Sequence, residues 1–310
     1  MISAIPLLTN ITAAPSTTTA FTRRRQPIAA LALGPYGALL TPGQEYEGKY
    51  LSPFGESSPS VPAYSSIAFD AIPLPLARVG TTKDPFEDHL AAFHLGRLDD
   101  FAHSSSFDEL GMIAFETVPR LRETRAIRRA MGVFDASRRE ESRKPFYISY
   151  VFRAGEAEGS VRYPDVAEKG TDFARVVEHL IEATFGEMET TSATPGGIGI
   201  NCTSPIHLPL IIDELSRALK AFLSVTNTTE KPYLILYPDG GELYDTTSRT
   251  WINTLGLTPE SWAVEVTKSV RLALGKETFG GVIVGGCCGA GMESIRELRR
   301  ECIRAGFVKE

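Results

Sequence analysis

Short apolar runs recur along the chain, each closed by glycine, proline or a polar residue and followed by a stretch of helical spacing. Ile28-Ala29-Ala30-Leu31-Ala32-Leu33 is the first, closed by Gly34-Pro35-Tyr36-Gly37. Met112-Ile113-Ala114-Phe115-Glu116, Phe146 to Phe152, Gly197-Ile198-Gly199-Ile200 and Tyr233 to Tyr237 follow, and Val282-Ile283-Val284 is the last. These runs are too short for helices and lack a polar face, so they read as strands buried on both sides. Helical spacing predicts helices over Phe86–Phe101, Arg120–Met131, Phe173–Phe185, Leu208–Leu223, Ser261–Leu274 and Ser294–Ala305. Alternating strands and helices predict a parallel sheet with right-handed crossovers.

The polar, glycine-rich and thiol-bearing residues fall just after the strands. A TIM (β/α)8-type barrel carries its chemistry there, at the C-terminal rim. A doubly wound sheet would place a Gly-x-Gly-x-x-Gly fingerprint after its first strand, and none opens this chain. The predicted fold class is therefore an α/β barrel of the TIM type. It is incomplete, with about six recognisable strand–helix units against the usual eight. Residues 27–310 form the barrel domain, and residues 1–26 read as a poorly structured or transit-like leader.

Chemistry concentrates in Gly285-Gly286-Cys287-Cys288-Gly289. Adjacent side chains diverge along a strand, but a tight glycine turn can bring both sulfurs to one point, as a shared ion requires. Gly199-Ile200-Asn201-Cys202 ends a second strand in a thiol. Zinc suits such thiolates, with Zn–S near ~2.3 Å, and three protein ligands with a vacant fourth position mark catalytic sites. The competing reading is that all three are small buried hydrophobes. Asn201 could order the metal loop or simply make a turn. Glu116, at a strand end, could face the rim or cap the next helix. Tyr36 and Tyr237 could shelter a cationic donor by cation–π attraction, or simply pack.

Composition narrows the classes. The formal charge of -6 gives no basic face for nucleic acid, and no apolar run reaches membrane-spanning length. Four cysteines match a reduced intracellular protein rather than a disulfide framework, which predicts a cytoplasmic location. The acid-free, Arg- and Thr-rich residues 1–44 leave mitochondrial import as the alternative. The Arg/Glu alternation of Arg120–Met131 predicts a solvated face. His89, His94 and His103 are expected to be solvated, and His207 to be a loop residue.

With Leu33-Gly34-Pro35-Tyr36-Gly37, Phe115-Glu116-Thr117-Val118-Pro119, Gly199-Ile200-Asn201-Cys202 and Gly285-Gly286-Cys287-Cys288 in this order, the chain resembles the zinc-dependent homocysteine S-methyltransferases. The branch using S-methylmethionine or S-adenosylmethionine is the nearest match, from about Pro27 to Phe307. The resemblance implies Zn2+ on Cys202, Cys287 and Cys288, Glu116 holding the amino group of homocysteine, and methionine as product. The family's opening Asp-Gly-Gly-type turn and Thr-Asn-Thr-Tyr-like segment have no counterpart in residues 1–26. The chain is thus expected to lack the first two units, which removes a substrate-binding carboxylate and leaves open sheet edges through which copies could self-associate. Two alternatives stay open: a truncated zinc-binding relic of little or no activity, and a phosphate-binding barrel enzyme using Gly240-Gly241 and Gly285-Gly286.

Overall fold

The computed structural model describes residues 9–11, 27–55, 65–66, 74–188, 190–245, 250–253 and 255–309. In chain order the first elements are β1 (Thr9–Ile11), β2 (Ala30–Leu33), β3 (Leu40–Thr41), β4 (Ser65–Ser66), α1 (Leu76–Val79), α2 (Pro85–Ala102), β5 (Met112–Val118) and α3 (Leu121–Ala136). Then come β6 (Phe146–Tyr150), β7 (Arg153–Ala154), β8 (Val161–Arg162), α4 (Phe173–Phe185), β9 (Gly197–Asn201) and α5 (Leu208–Thr226). The last are β10 (Tyr233–Tyr237), β11 (Glu242–Asp245), β12 (Thr250–Asn253), α6 (Pro259–Gly275), β13 (Gly281–Val284) and α7 (Met292–Arg304).

One sheet organises the chain, in the order β1-β13-β10-β9-β6-β5-β2. Its β2, β5, β6, β9, β10 and β13 are parallel and lie side by side in sequence order. This is the neighbour-to-neighbour winding of a barrel, not the reversing order of a doubly wound sheet. Among the described residues the barrel does not close: β2 ends the sheet on one side and β1 on the other. β1 lies in the stretch read as a leader and pairs antiparallel with β13, Thr9 opposite Val284.

Strand alternation separates two layers. Ile113, Phe115, Ile148, Ile198, Ile200, Leu234, Leu236 and Val282 join the helices in the main core. Each such side chain contributes about 1.5–3 kcal/mol when fully buried. Ala114, Tyr147, Ile235 and Tyr237 form a smaller cluster on the opposite face, with Ile283 and Cys287 packed against it. One register rung there runs Ala32, Ala114, Tyr147, Gly197, Tyr233, Gly281, so each tyrosine is flanked by alanine or glycine. A Cβ on Gly199 would sit 2.6 Å from Ser149 Oγ; the inner face has no room for it.

Two sequence expectations fail on the helix side. The Arg/Glu pattern of α3 is not solvated: Glu123, Arg128 and Arg129 are buried, as is Arg120 just before the helix. Arg129 Nη1 donates to Glu87 Oε1 at 3.1 Å and Asp88 Oδ1 at 2.9 Å. Arg128 donates to the carbonyls of Ala183, Gly186 and Ala193 at 2.8–3.1 Å. A charged helix face can be an interface when its partners come from α2 and the α4–β9 loop, which local spacing does not reveal. His94 is likewise fully buried, its Nε2 3.0 Å from Glu123 Oε1. Burial lowers its pKa against the opposing pull of Glu123. His89 is half-buried and His103 exposed.

Candidate metal centre and its surroundings

Cys202 follows β9, while Cys287 and Cys288 lie just beyond β13, two strands away across β10. The loops after these strands are stitched together by backbone hydrogen bonds. Cys287 N–H donates to the Pro238 carbonyl at 2.8 Å, Gly240 N–H to the Cys288 carbonyl at 2.7 Å, and Asp239 N–H to the Thr203 carbonyl at 3.1 Å. Gly240 is required at this crossing, since a Cβ there would lie 2.5 Å from the Gly289 carbonyl carbon. Cys202 itself has φ 47, a left-handed conformation that turns it out of the strand direction.

The result is one cluster. Cys202 Sγ lies 3.8 Å from Cys288 Sγ, and Cys287 Sγ 4.0 Å from Cys288 Sγ. All three sulfurs fall within 4.8 Å of one another. A tetrahedral ion with ~2.3 Å bonds to sulfur needs its donors about 3.8 Å apart. Soft donors at this spacing fit a thiophilic ion such as zinc. Cys302 is buried on α7, outside the group.

Asn201 holds the cluster from behind. Its Oδ1 accepts from Thr117 N–H at 2.9 Å, and its Nδ2 donates to Thr117 Oγ1 at 2.7 Å and Cys202 Sγ at 3.4 Å. Thr117 sits in an irregularity of the β5–β6 ladder with φ 59. The bulge aims its N–H sideways, at the asparagine, and local sequence gave no signal for it.

Three thiols this close cannot all ionise without a compensating cation. Hydrogen bonds from Cys202 and Cys287 bring Cys288 down to about 3, and contacts with Cys202 and Cys288 push Cys287 up. Glu116 is half-buried. Burial raises its carboxyl, the Tyr237 hydroxyl opposes that, and negative charge at Cys288 adds to it. Tyr237 is buried on the inner face, its ring 6.3 Å from that of Tyr147. The hydroxyls of Tyr147, Ser149 and Tyr237 are buried together on this inner face. These hydroxyls, Glu116 and Asn201 are thus gathered on the side of the sheet that carries the thiols.

Tyr36 is not among them. It packs in the helix-side core, stacked on Phe54 at 3.9 Å, and its N–H donates to Glu123 at 2.7 Å. Two residues absent from the sequence-based list take its place. Burial, then negative charge at Cys202 and Cys288, raises the pKa of Tyr46, which sets its side chain beside the thiol cluster. Neighbouring Glu45 is raised by burial first and by Cys288 as well, and its Oε2 is buried without a partner. Both lie in the loop after β3, where proline and glycine disrupt periodicity; Glu-Tyr between Gly43 and Gly48 was the available signal. Of the glycines named for the phosphate reading, Gly240, Gly241 and Gly285 have their N–H groups engaged within the protein. His207 is half-buried at the β9–α5 turn.

A family model described as Homocysteine S-methyltransferase matches residues 8–302. The chain belongs to the homocysteine S-methyltransferase family. That match includes Glu116, Asn201 and the three clustered thiols, and it begins upstream of Pro27. Among relatives, the Homocysteine S-methyltransferase YbgG of Bacillus subtilis is 27% identical over 280 residues, covering 89% of this chain and 61% of that protein. Homocysteine S-methyltransferase 3 of Zea mays is 27% identical over 277 residues, 88% of this chain and 58% of its own. Selenocysteine Se-methyltransferase of Brassica oleracea var. italica is 24% identical over 283 residues, 91% and 59% respectively. The metallated form of the homocysteine methyltransferase MmuM from Escherichia coli aligns with a TM-score of 0.44 at 18% identity, over 88% of this chain and 60% of that one. The chain spans about three-fifths of the length of these family relatives. Among the described residues no helix is long and apolar enough to cross a membrane.

Proposed function

We propose that the protein moves a methyl group from a sulfonium donor, S-methylmethionine or S-adenosylmethionine, to the sulfur of homocysteine, giving methionine. The observation that carries this reading is the convergence of Cys202, Cys287 and Cys288 at tetrahedral spacing. These thiols would hold Zn2+. Bound there, the ion supplies the charge that deprotonates an acceptor thiol, whose ordinary pKa near ~8.5 otherwise leaves it mostly protonated at neutral pH.

The remaining work falls to the chain. Asn201 keeps Cys202 oriented. Glu116, with its carboxyl raised by burial, gains from pairing with the acceptor's ammonium group. Tyr237 and Tyr147 exclude water from the inner face, and the Tyr237 ring can face a sulfonium cation. In the transfer the acceptor sulfur forms a new bond to the methyl carbon while the donor's S–CH3 bond breaks. The bonding pair returns to the donor sulfur, leaving a neutral thioether. Alignment of the two sulfurs is the protein's main contribution to rate. The free thiols are in keeping with work in a reducing compartment such as the cytoplasm.

The test is a purified-protein assay for bound zinc and for methionine formed from homocysteine with each donor, with selenocysteine as a second acceptor. One equivalent of zinc with methionine formed from one donor supports the proposal. Zinc binding without product from either donor would replace it with the relic reading.

A further inference from the structure

Arg153 opens β7 directly after β6 and is half-buried. Arginines 120, 122, 125, 129 and 162 each pair with a carboxylate. Arg153 pairs with none among the described residues; its guanidinium lies over the Tyr46 ring, 5.4 Å from the centroid. That tyrosine lies within electrostatic reach of Cys202 and Cys288. The backbone sets Arg153 beside the thiol-bearing loop independently, because Phe152 N–H donates to Thr203 Oγ1 at 2.9 Å, one residue from Cys202. The loop carrying Tyr46 is tied to the same hairpin through Arg162 and Glu47, 3.4 Å apart. A planar fork of donors without a carboxylate therefore sits one tyrosine ring away from the thiols. Such a fork recognises a carboxylate bidentately.

We propose that Arg153, backed by Tyr46, binds the α-carboxylate of the thiol acceptor and thereby restricts the site to thiols that are free α-amino acids. The assignment rests on the acceptor reading given above. It divides the acceptor's ends among three groups: sulfur at the cysteine cluster, ammonium at Glu116, carboxylate at Arg153. Arginine suits this place because stacking holds its plane while its edges stay open to donate.

The test is calorimetric binding to the zinc-loaded full chain, of L-homocysteine and of 3-aminopropane-1-thiol, which is homocysteine without its carboxylate. The native protein should bind homocysteine about 10–100-fold more tightly, the worth of hydrogen bonds to a charged group. Arg153→Met should bring the two thiols within about threefold by weakening homocysteine alone, and Arg153→Lys should restore part of the difference. Tyr46→Phe keeps the ring under the guanidinium and should keep the discrimination. An Arg153→Met protein that still prefers homocysteine, or that loses both thiols equally, overturns the proposal, as does a native protein that fails to bind homocysteine. Tight, carboxylate-dependent binding without methionine formation would instead sink the transfer reaction and leave Arg153 in its role. Thermal melting of each variant separates misfolding from lost recognition.

Discussion

Asn201→Ala offers the sharpest test of how the thiol cluster is held. The substitution orphans the buried Thr117 N–H, whose acceptor is Asn201 Oδ1 at 2.9 Å. It also strips Thr117 Oγ1 and Cys202 Sγ of a donor. An unmade buried hydrogen bond costs about 1–3 kcal/mol, and the lost hydroxyl contact about 1 more. Thr117 holds a left-handed backbone with φ 59. Relaxation of that strain, worth about 1–3 kcal/mol, offsets part of the loss. The net expectation is roughly 1–2 kcal/mol of destabilisation, or a melting shift of about 2–3 °C for a chain of this length. Zinc affinity should fall about 10–100-fold, as for other groups that orient a metal ligand. Competition against a chromophoric chelator measures the affinity, and circular dichroism the melting. Thr117→Val removes the hydroxyl but keeps the N–H bond, so its effect should be smaller and non-additive with Asn201→Ala. Zinc affinity within twofold of native in Asn201→Ala, with melting lowered as expected, would refute the claim that this asparagine orients the metal loop.

Serine in place of Cys202, Cys287 or Cys288 should each weaken zinc binding by about a thousandfold, roughly one third of the free energy of a structural zinc site. Cys302→Ser should leave metal content unchanged by atomic absorption. Arg129→Met leaves Glu87 and Asp88 without their buried cation and should cost about 3–5 kcal/mol in urea unfolding; a loss below about 1 kcal/mol would show the pair to be dispensable. Burial lowers the His94 pKa below its ordinary 6.5, so the unfolded chain takes up that proton first. Stability should therefore fall as pH drops below about 6.5, and His94→Gln should flatten that part of the curve in denaturant titrations across pH 5 to 8.

The strands were legible because each apolar run is framed by turn residues and buried on both faces. Tyr233–Tyr237 and Phe173–Phe185 match the observed elements residue for residue. The cysteine cluster was legible because two chemically odd strand ends pointed to one rim. What stayed hidden depends on partners far along the chain. The polar face of α3 looks solvated until α2 supplies Glu87 and Asp88. Tyr36 has a rim residue's position in sequence, but the aromatic pocket of Tyr50, Phe54 and Phe93 draws it to the helix side. Thr117 needs a bulge, and Tyr46 needs a folded loop, before either can meet a thiol.

The thiols lie 86 positions apart in the chain, with an entire strand seated between their parent strands. During synthesis any ion these thiols hold can be gripped only once β13, which follows β10 in the chain, has docked beside it. Metal capture would then report on the docking of β13: a nascent chain halted before Cys287 holds a single thiol of the set, and full occupancy would require both strand ends to have come together.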